Sequence, residues 1–157
     1  MAYKAMNWLI LLVFLLSAVG CRGNRQQSLY DRLGGEQGIT TVINDFIDRF
    51  RTVEDERINN PLVKKRHDAA YVPALKEQWL RFVSKSTGGP DRYEGRSMKW
   101  AHAGLAITDD QFDRTIEIMA ESLAASQVGK REQEELLGLM RAHREEIVEK
   151  HQDLKIY

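Results

Sequence analysis

Ile39, Val42, Ile43, Phe46, Ile47 and Phe50 recur at intervals of three and four residues. That spacing gathers six apolar side chains on one face of an α-helix and does not suit a strand, whose side chains alternate. The same period returns three times. Leu75, Trp79, Phe82 and Val83 form a second stripe, and Phe112, Ile116, Met119 and Leu123 a third. Leu136, Met140 and Ile147 form a fourth, with Leu137 and Val148 beside them. No alternating run and no internal repeat interrupts this pattern. The chain therefore reads as all-α: four sizeable helices and a short one around His102.

Breaks between the stripes are equally legible. Gly34 and Gly35 precede the first, and Asn59, Asn60 and Pro61 close that region. Gly88-Gly89-Pro90 ends the second. Thr108 to Gln111 is a capping box that launches the third, and Val128-Gly129 separates the third from the fourth. A length of 157 residues with 43% hydrophobic content suffices for one domain with a true core. Its 23 basic and 23 acidic residues balance, so no bulk electrostatic case exists for nucleic acid.

The first 20 residues read as a targeting segment. Lys4 supplies a basic start, and Trp8 to Leu16 is an apolar run too short to span a bilayer. Ser17-Ala18-Val19-Gly20 then lead to Cys21, the single cysteine of the chain. AVGC resembles the processing box of bacterial lipoproteins. That resemblance implies cleavage before Cys21 and lipidation of its sulfur; plain secretion and an uncleaved signal anchor are the other readings. The implied organisation is a signal peptide at 1–20, a tether at 21–27, the main domain at 28–150 and a tail at 151–157. The implied location is the cell envelope, lipid-anchored and facing the periplasm or exterior.

Four histidines remain to be placed. His143 and His151 lie among charges in the last stripe, and His67 follows Lys64-Lys65-Arg66, so all three read as solvated. His102 lies instead among Trp100, Ala101, Ala103, Leu105 and Ile107. It is either a satisfied core residue or a ligand. A bare metal site needs three or four protein ligands, and none keep spacing with His102. A haem needs only one, because the porphyrin fills four positions itself.

SLYDRLGGEQGI at 28–39 and TGGPDRYEGRSMKWAHAGLAIT at 87–108 settle which alternative to carry forward. Glycine pair, loop, Tyr93-x-Gly95-Arg96-x-Met98 and then His102 resemble the truncated globins, group I type, from about Ser28 to Glu149. The resemblance implies a 2-over-2 helical sandwich around haem b, with His102 as the proximal iron ligand. It implies haem contacts at Phe46, Ile47, Leu62, Leu75, Gln78, Trp79, Phe82, Tyr93, Met98 and Ile116. Phe46 and Phe82 would also be buried in any helical bundle. Arg96 and Lys99 either pair with haem propionates or are solvated. A neutral imidazole binds iron through one nitrogen, so the other is expected to donate to a carbonyl of the preceding turn.

Two departures from that family bear on function. Many relatives carry tyrosine where Ile47 stands, and a phenylalanine at the corner where Leu62 is the nearest equivalent. Gln78 either donates to a ligand or faces water; Trp79 either donates through its indole N–H or fills space. The leading expectation is a membrane-tethered haem protein that binds O2, NO or CO at ferrous iron. Redox chemistry between oxygen and nitric oxide, or electron transfer with a reductase, extends it. The competing class is a haem-free helical envelope lipoprotein acting through protein contacts.

Overall fold

The computed structural model describes residues 27–149. The proposed signal segment, Cys21, most of the tether, the 151–157 tail and His151 lie outside them. Every element among the described residues is helical. Ser28 opens α1 (Leu29–Arg32) with a capping box in which its hydroxyl and the Asp31 carboxylate each accept from the other's backbone. Gly34 and Gly35 then turn the chain into α2 (Gly35–Thr52). The stripe predicted for α2 is buried throughout, with Phe46 and Ile47 almost wholly covered. Each such side chain contributes about 1.5–3 kcal/mol on leaving water.

A 3-10 turn (Glu56–Ile58) leads to α3 (Pro61–Arg66), capped by the Asn60 side chain. Next come α4 (Val72–Ser86) and α5 (Met98–His102). α6 (Asp109–Ala125) begins at the Thr108–Gln111 capping box as its sequence requires. α7 (Lys130–Arg141) and α8 (Arg144–Ile147) complete the chain. The fourth stripe is thus two helices rather than one: Ala142 and His143 break it, and Ile147 belongs to α8. Short α1, α3 and α8 add to the four sizeable helices expected.

α2 is the centre of the molecule. It packs on α4 along one side and on α6 along another, and α6 packs on α7. α5 finds its main packing partner in α8. The two glycine pairs meet across one ring. A Cβ on Gly35 would lie 3.6 Å from the Tyr30 ring, and one on Gly89 would lie 2.5 Å from it and strike the Ser84 hydroxyl. Gly88 has φ +84°, a left-handed conformation that turns the chain out of α4. Tyr30 N–H donates to the Thr87 carbonyl at 2.9 Å, which ties α1 to this turn.

An ion network pins the 3-10 turn to α6. Arg114 has a side chain only 10% exposed. It reaches Asp55 at 2.7 Å and Glu121 at 2.9 Å, and Arg57 joins Asp55 at 3.0 Å.

Candidate functional site

Between α4 and α6 the chain runs without helix from Thr87 to Ser97, as the Gly-Gly-Pro turn dictates. Tyr93 on this passage donates its hydroxyl to the Arg96 carbonyl at 2.8 Å and meets Phe82 of α4 edge-on at 5.6 Å. Ser97 then caps α5, accepting from Trp100 N–H. α5 is barely more than one turn, and it brings His102 four residues after Met98.

The His102 ring is half-buried. Its Nδ1 lies 2.8 Å from the Met98 carbonyl oxygen. A carbonyl only accepts, so Nδ1 carries the proton and Nε2 keeps its lone pair. Nε2 makes no hydrogen bond among the described residues. Burial holds the imidazole below the usual histidine range; Met98 opposes this, and nearby Arg66 and His143 reinforce it. The neutral form that a metal requires is the favoured one.

The residues implied as haem contacts divide into three sets. Leu75, Trp79 and Phe82 of α4, Tyr93 of the loop, and Met98 and His102 of α5 are all partly exposed. Phe82 brings α4 against Tyr93 of the loop and against His143 at the start of α8, while the main packing partners of α4 and α5 are α2 and α8 respectively. Phe46, Ile47 and Ile116 are covered by protein, and Phe46 meets Trp79 at 5.1 Å. Leu62 is 47% exposed, and Gln78 is exposed too, three residues after Leu75 and four before Phe82 on the same face of α4. Arg96 and Lys99 are also exposed.

Two histidines depart from the solvated reading. His67 stacks on Phe50 at 4.5 Å, and burial holds its imidazole below the ordinary value. His143 packs its edge on Phe82 at 5.5 Å and pairs with Glu146 at 2.8 Å. Local charge density concealed both.

Residues 28–149 match the family model described as bacterial-like globin. The chain belongs to the truncated globins. The group 1 truncated hemoglobin GlbN of Mycolicibacterium paratuberculosis is 30% identical over 111 residues, covering 71% of this chain and 76% of that one. The GlbN of Synechocystis is 31% identical over 103 residues, covering 63% and 74%. Among solved structures, the truncated hemoglobin of Tetrahymena pyriformis in its Fe(III) form superposes with TM-score 0.68 at 26% identity, covering 79% of this chain and all of that one. The 2/2 hemoglobin of Synechococcus, solved in the cyanomet state with covalently attached heme, gives TM-score 0.68 at 25% identity, with the same coverage.

This truncated globin therefore has the 2-over-2 helical fold, and its family binds haem b and diatomic gases. The haem-free alternative is left without support. The residues present fit the cofactor: His102 keeps one imidazole nitrogen without a hydrogen bond among the described residues, and Leu75, Trp79, Phe82 and Met98 are apolar side chains left only partly covered. No cluster of three or more His, Cys, Asp or Glu side chains among the described residues could hold a bare metal ion.

Proposed function

We propose that this truncated globin would hold haem b through His102 Nε2, and that the haem would supply the binding of O2, NO or CO. The single observation behind this reading is the His102 ring: Nδ1 committed to Met98, Nε2 without a hydrogen bond among the described residues, and the ring half-buried. Met98, Tyr93 and Phe82 would cover the near side of the macrocycle. Leu75 and Trp79, backed by Phe46 and Ile47, would cover the far side. The iron would supply reversible gas binding when ferrous and one-electron chemistry on changing oxidation state.

Far-side chemistry is where this chain departs from its relatives. Ile47 offers no hydroxyl, so α4 supplies the candidate donors: the Trp79 indole N–H and the Gln78 amide, on the same side of the helix as Leu75. A far wall of apolar side chains and neutral donors favours neutral diatomics over anions. Redox chemistry between oxygen and nitric oxide would oxidise the haem group, so that extension would require a reductase as partner.

The test is absorption spectroscopy of the haem-loaded protein in ferric, ferrous and CO-bound forms. A Soret band that His102→Ala abolishes supports the assignment. Folded protein that takes up no pigment, or an unaltered spectrum in His102→Ala, overturns it.

Location is a second proposal, carried by AVGC at 18–21. We read Cys21 as a lipidated anchor that places the globin domain at the cell envelope, outside the cytoplasm. Among the described residues no helix is long and apolar enough to cross a membrane. Metabolic labelling with palmitate checks the anchor: label absent from Cys21→Ser and present in the parent supports it, and equal labelling refutes it.

A further inference from the structure

The loop directly after His102 is held by a residue 47 positions further on. Gly104 has φ +75° and Ala106 φ +50°, the latter a conformation L side chains rarely adopt. Glu149 accounts for both. Its Oε1 accepts the Gly104 N–H and its Oε2 accepts the Ala106 N–H at 3.1 Å. Its own backbone N–H donates to the Ile107 carbonyl at 2.9 Å. From the other side, the Asn60 amide donates to the Leu105 carbonyl at 2.8 Å. Leu105 N–H closes back on the His102 carbonyl at 3.1 Å.

This clamp acts on a helix that cannot hold its own shape. α5 has five residues, too few for a stable helix without tertiary support. Its start is fixed by Ser97; its end has no cap except the clamped loop. The segment that carries Glu149 is itself anchored. Arg144 of α8 pairs with Asp109 at 2.6 Å and with Asp113, and it lies 4.6 Å above the Phe112 ring. α8 also packs along α5.

We infer that Glu149 is a positioning residue for the iron-binding histidine: through Gly104 and Ala106 it fixes the end of α5, and with it the orientation of the His102 ring. This rests on the reading of His102 as the iron ligand. Two parallel N–H donors need two acceptor oxygens, which a carboxylate offers and an amide does not. The C-terminal segment thereby sets the near-side geometry although it carries no ligand itself.

The experiment uses the full chain loaded with haem, as wild type, Glu149→Gln, Glu149→Ala and His102→Ala. Hydrogen–deuterium exchange of the 103–107 segment and the ferrous iron–histidine stretching band are read together. In Glu149→Ala, exchange at Gly104 and Ala106 should rise about 5- to 30-fold. The stretching band should shift and broaden while haem stays bound. Glu149→Gln, which keeps one acceptor, should fall between. A role confined to stability would raise exchange and leave the band in place; that result overturns the inference, as does unchanged exchange. A band missing from wild type, or retained in His102→Ala, removes the ligand assignment and the positioning role with it. In that case accelerated loop exchange in Glu149→Ala would still mark the clamp, which separates the two failures.

Discussion

The Nδ1 of His102 lies 2.8 Å from the carbonyl oxygen of Met98, one helical turn before it. This contact selects the tautomer, turns the other nitrogen away from that carbonyl and holds the plane of the tethered ring. A free imidazole can fill the same place without that constraint. Removing the side chain in His102→Gly should therefore abolish the Soret band of haem-loaded protein, and added imidazole should restore it. The restored ligand should dissociate faster than the tethered one, as a spectroscopic competition with a second base would show. Absence of any recovery would count against His102 as the ligand.

Ile47 is fully covered, beside Phe46 on α2. Ile47→Tyr brings a hydroxyl to the position that many relatives use, at the expense of extra volume in a filled core. A new hydrogen bond to bound oxygen is worth about 1–3 kcal/mol, so oxygen dissociation should slow by about tenfold to a hundredfold. Overpacking should lower unfolding stability by about 1–3 kcal/mol in the same variant. Stopped-flow oxygen release and urea unfolding read the two effects separately.

Asn60 carries more of the structure than a turn residue usually does. It is 7% exposed. Its Oδ1 accepts from Leu62 N–H at 2.9 Å and Val63 N–H at 3.3 Å, and its Nδ2 donates to Leu105 O and Gln111 Oε1. One side chain thus caps α3 and anchors the loop after His102. Asn60→Ala should cost about 1–3 kcal/mol in urea unfolding, from the lost cap and the buried carbonyl left without a partner. Asn59→Ala, on an exposed side chain, serves as the control and should change stability little.

Much of this architecture could be read from residue order, and the reasons are local. Thr108 and Gln111 cap α6, and Met98 to His102 form the short helix, because caps, glycines and helical period act within one or two turns. The stripe on α2 is buried as its spacing demands. What escaped was decided by tertiary contact. His67 sits in a basic run yet stacks on Phe50. His143 sits among charges yet lies against Phe82. The C-terminal stripe keeps its period across a break at Ala142, so periodicity alone could not split it. Glu149 has no local signature at all, because its partners lie more than forty residues away.

His67 makes a pH-dependent contribution to stability. Its Nδ1 donates to the Val63 carbonyl at 2.9 Å, and burial against Phe50 is the main cause that holds its pKa below the ordinary 6.5. The unfolded chain therefore takes up a proton that the folded chain resists. The contribution is fully present above pH 6.5 and is lost as pH falls through the folded value. His67→Phe keeps a ring on Phe50 and removes the titration. Wild type should lose urea stability between about pH 7.5 and about pH 5.5 more steeply than His67→Phe. Parallel curves would show that this ring does not titrate against folding.

Asp55 acts in a more acidic range. Hydrogen bonds from the Arg57 side chain and backbone, with a further one from Arg114, pull its carboxyl down to about 2 from an ordinary 3.8. Folding therefore favours the charged carboxylate. Its contribution is complete above pH 3.8 and is lost as pH falls toward about 2, where folded Asp55 also takes up a proton. Asp55→Asn cannot ionise and cannot pair with Arg114, whose guanidinium is the less exposed partner. At neutral pH the variant should be less stable than wild type, because Arg114 keeps only Glu117 and Glu121. The gap between the two should narrow as the solution is acidified from about pH 4 to about pH 2. Thermal unfolding followed by circular dichroism across that range reads the gap directly. A gap that stays constant with pH would assign the loss in Asp55→Asn to shape and hydrogen-bond count rather than to charge.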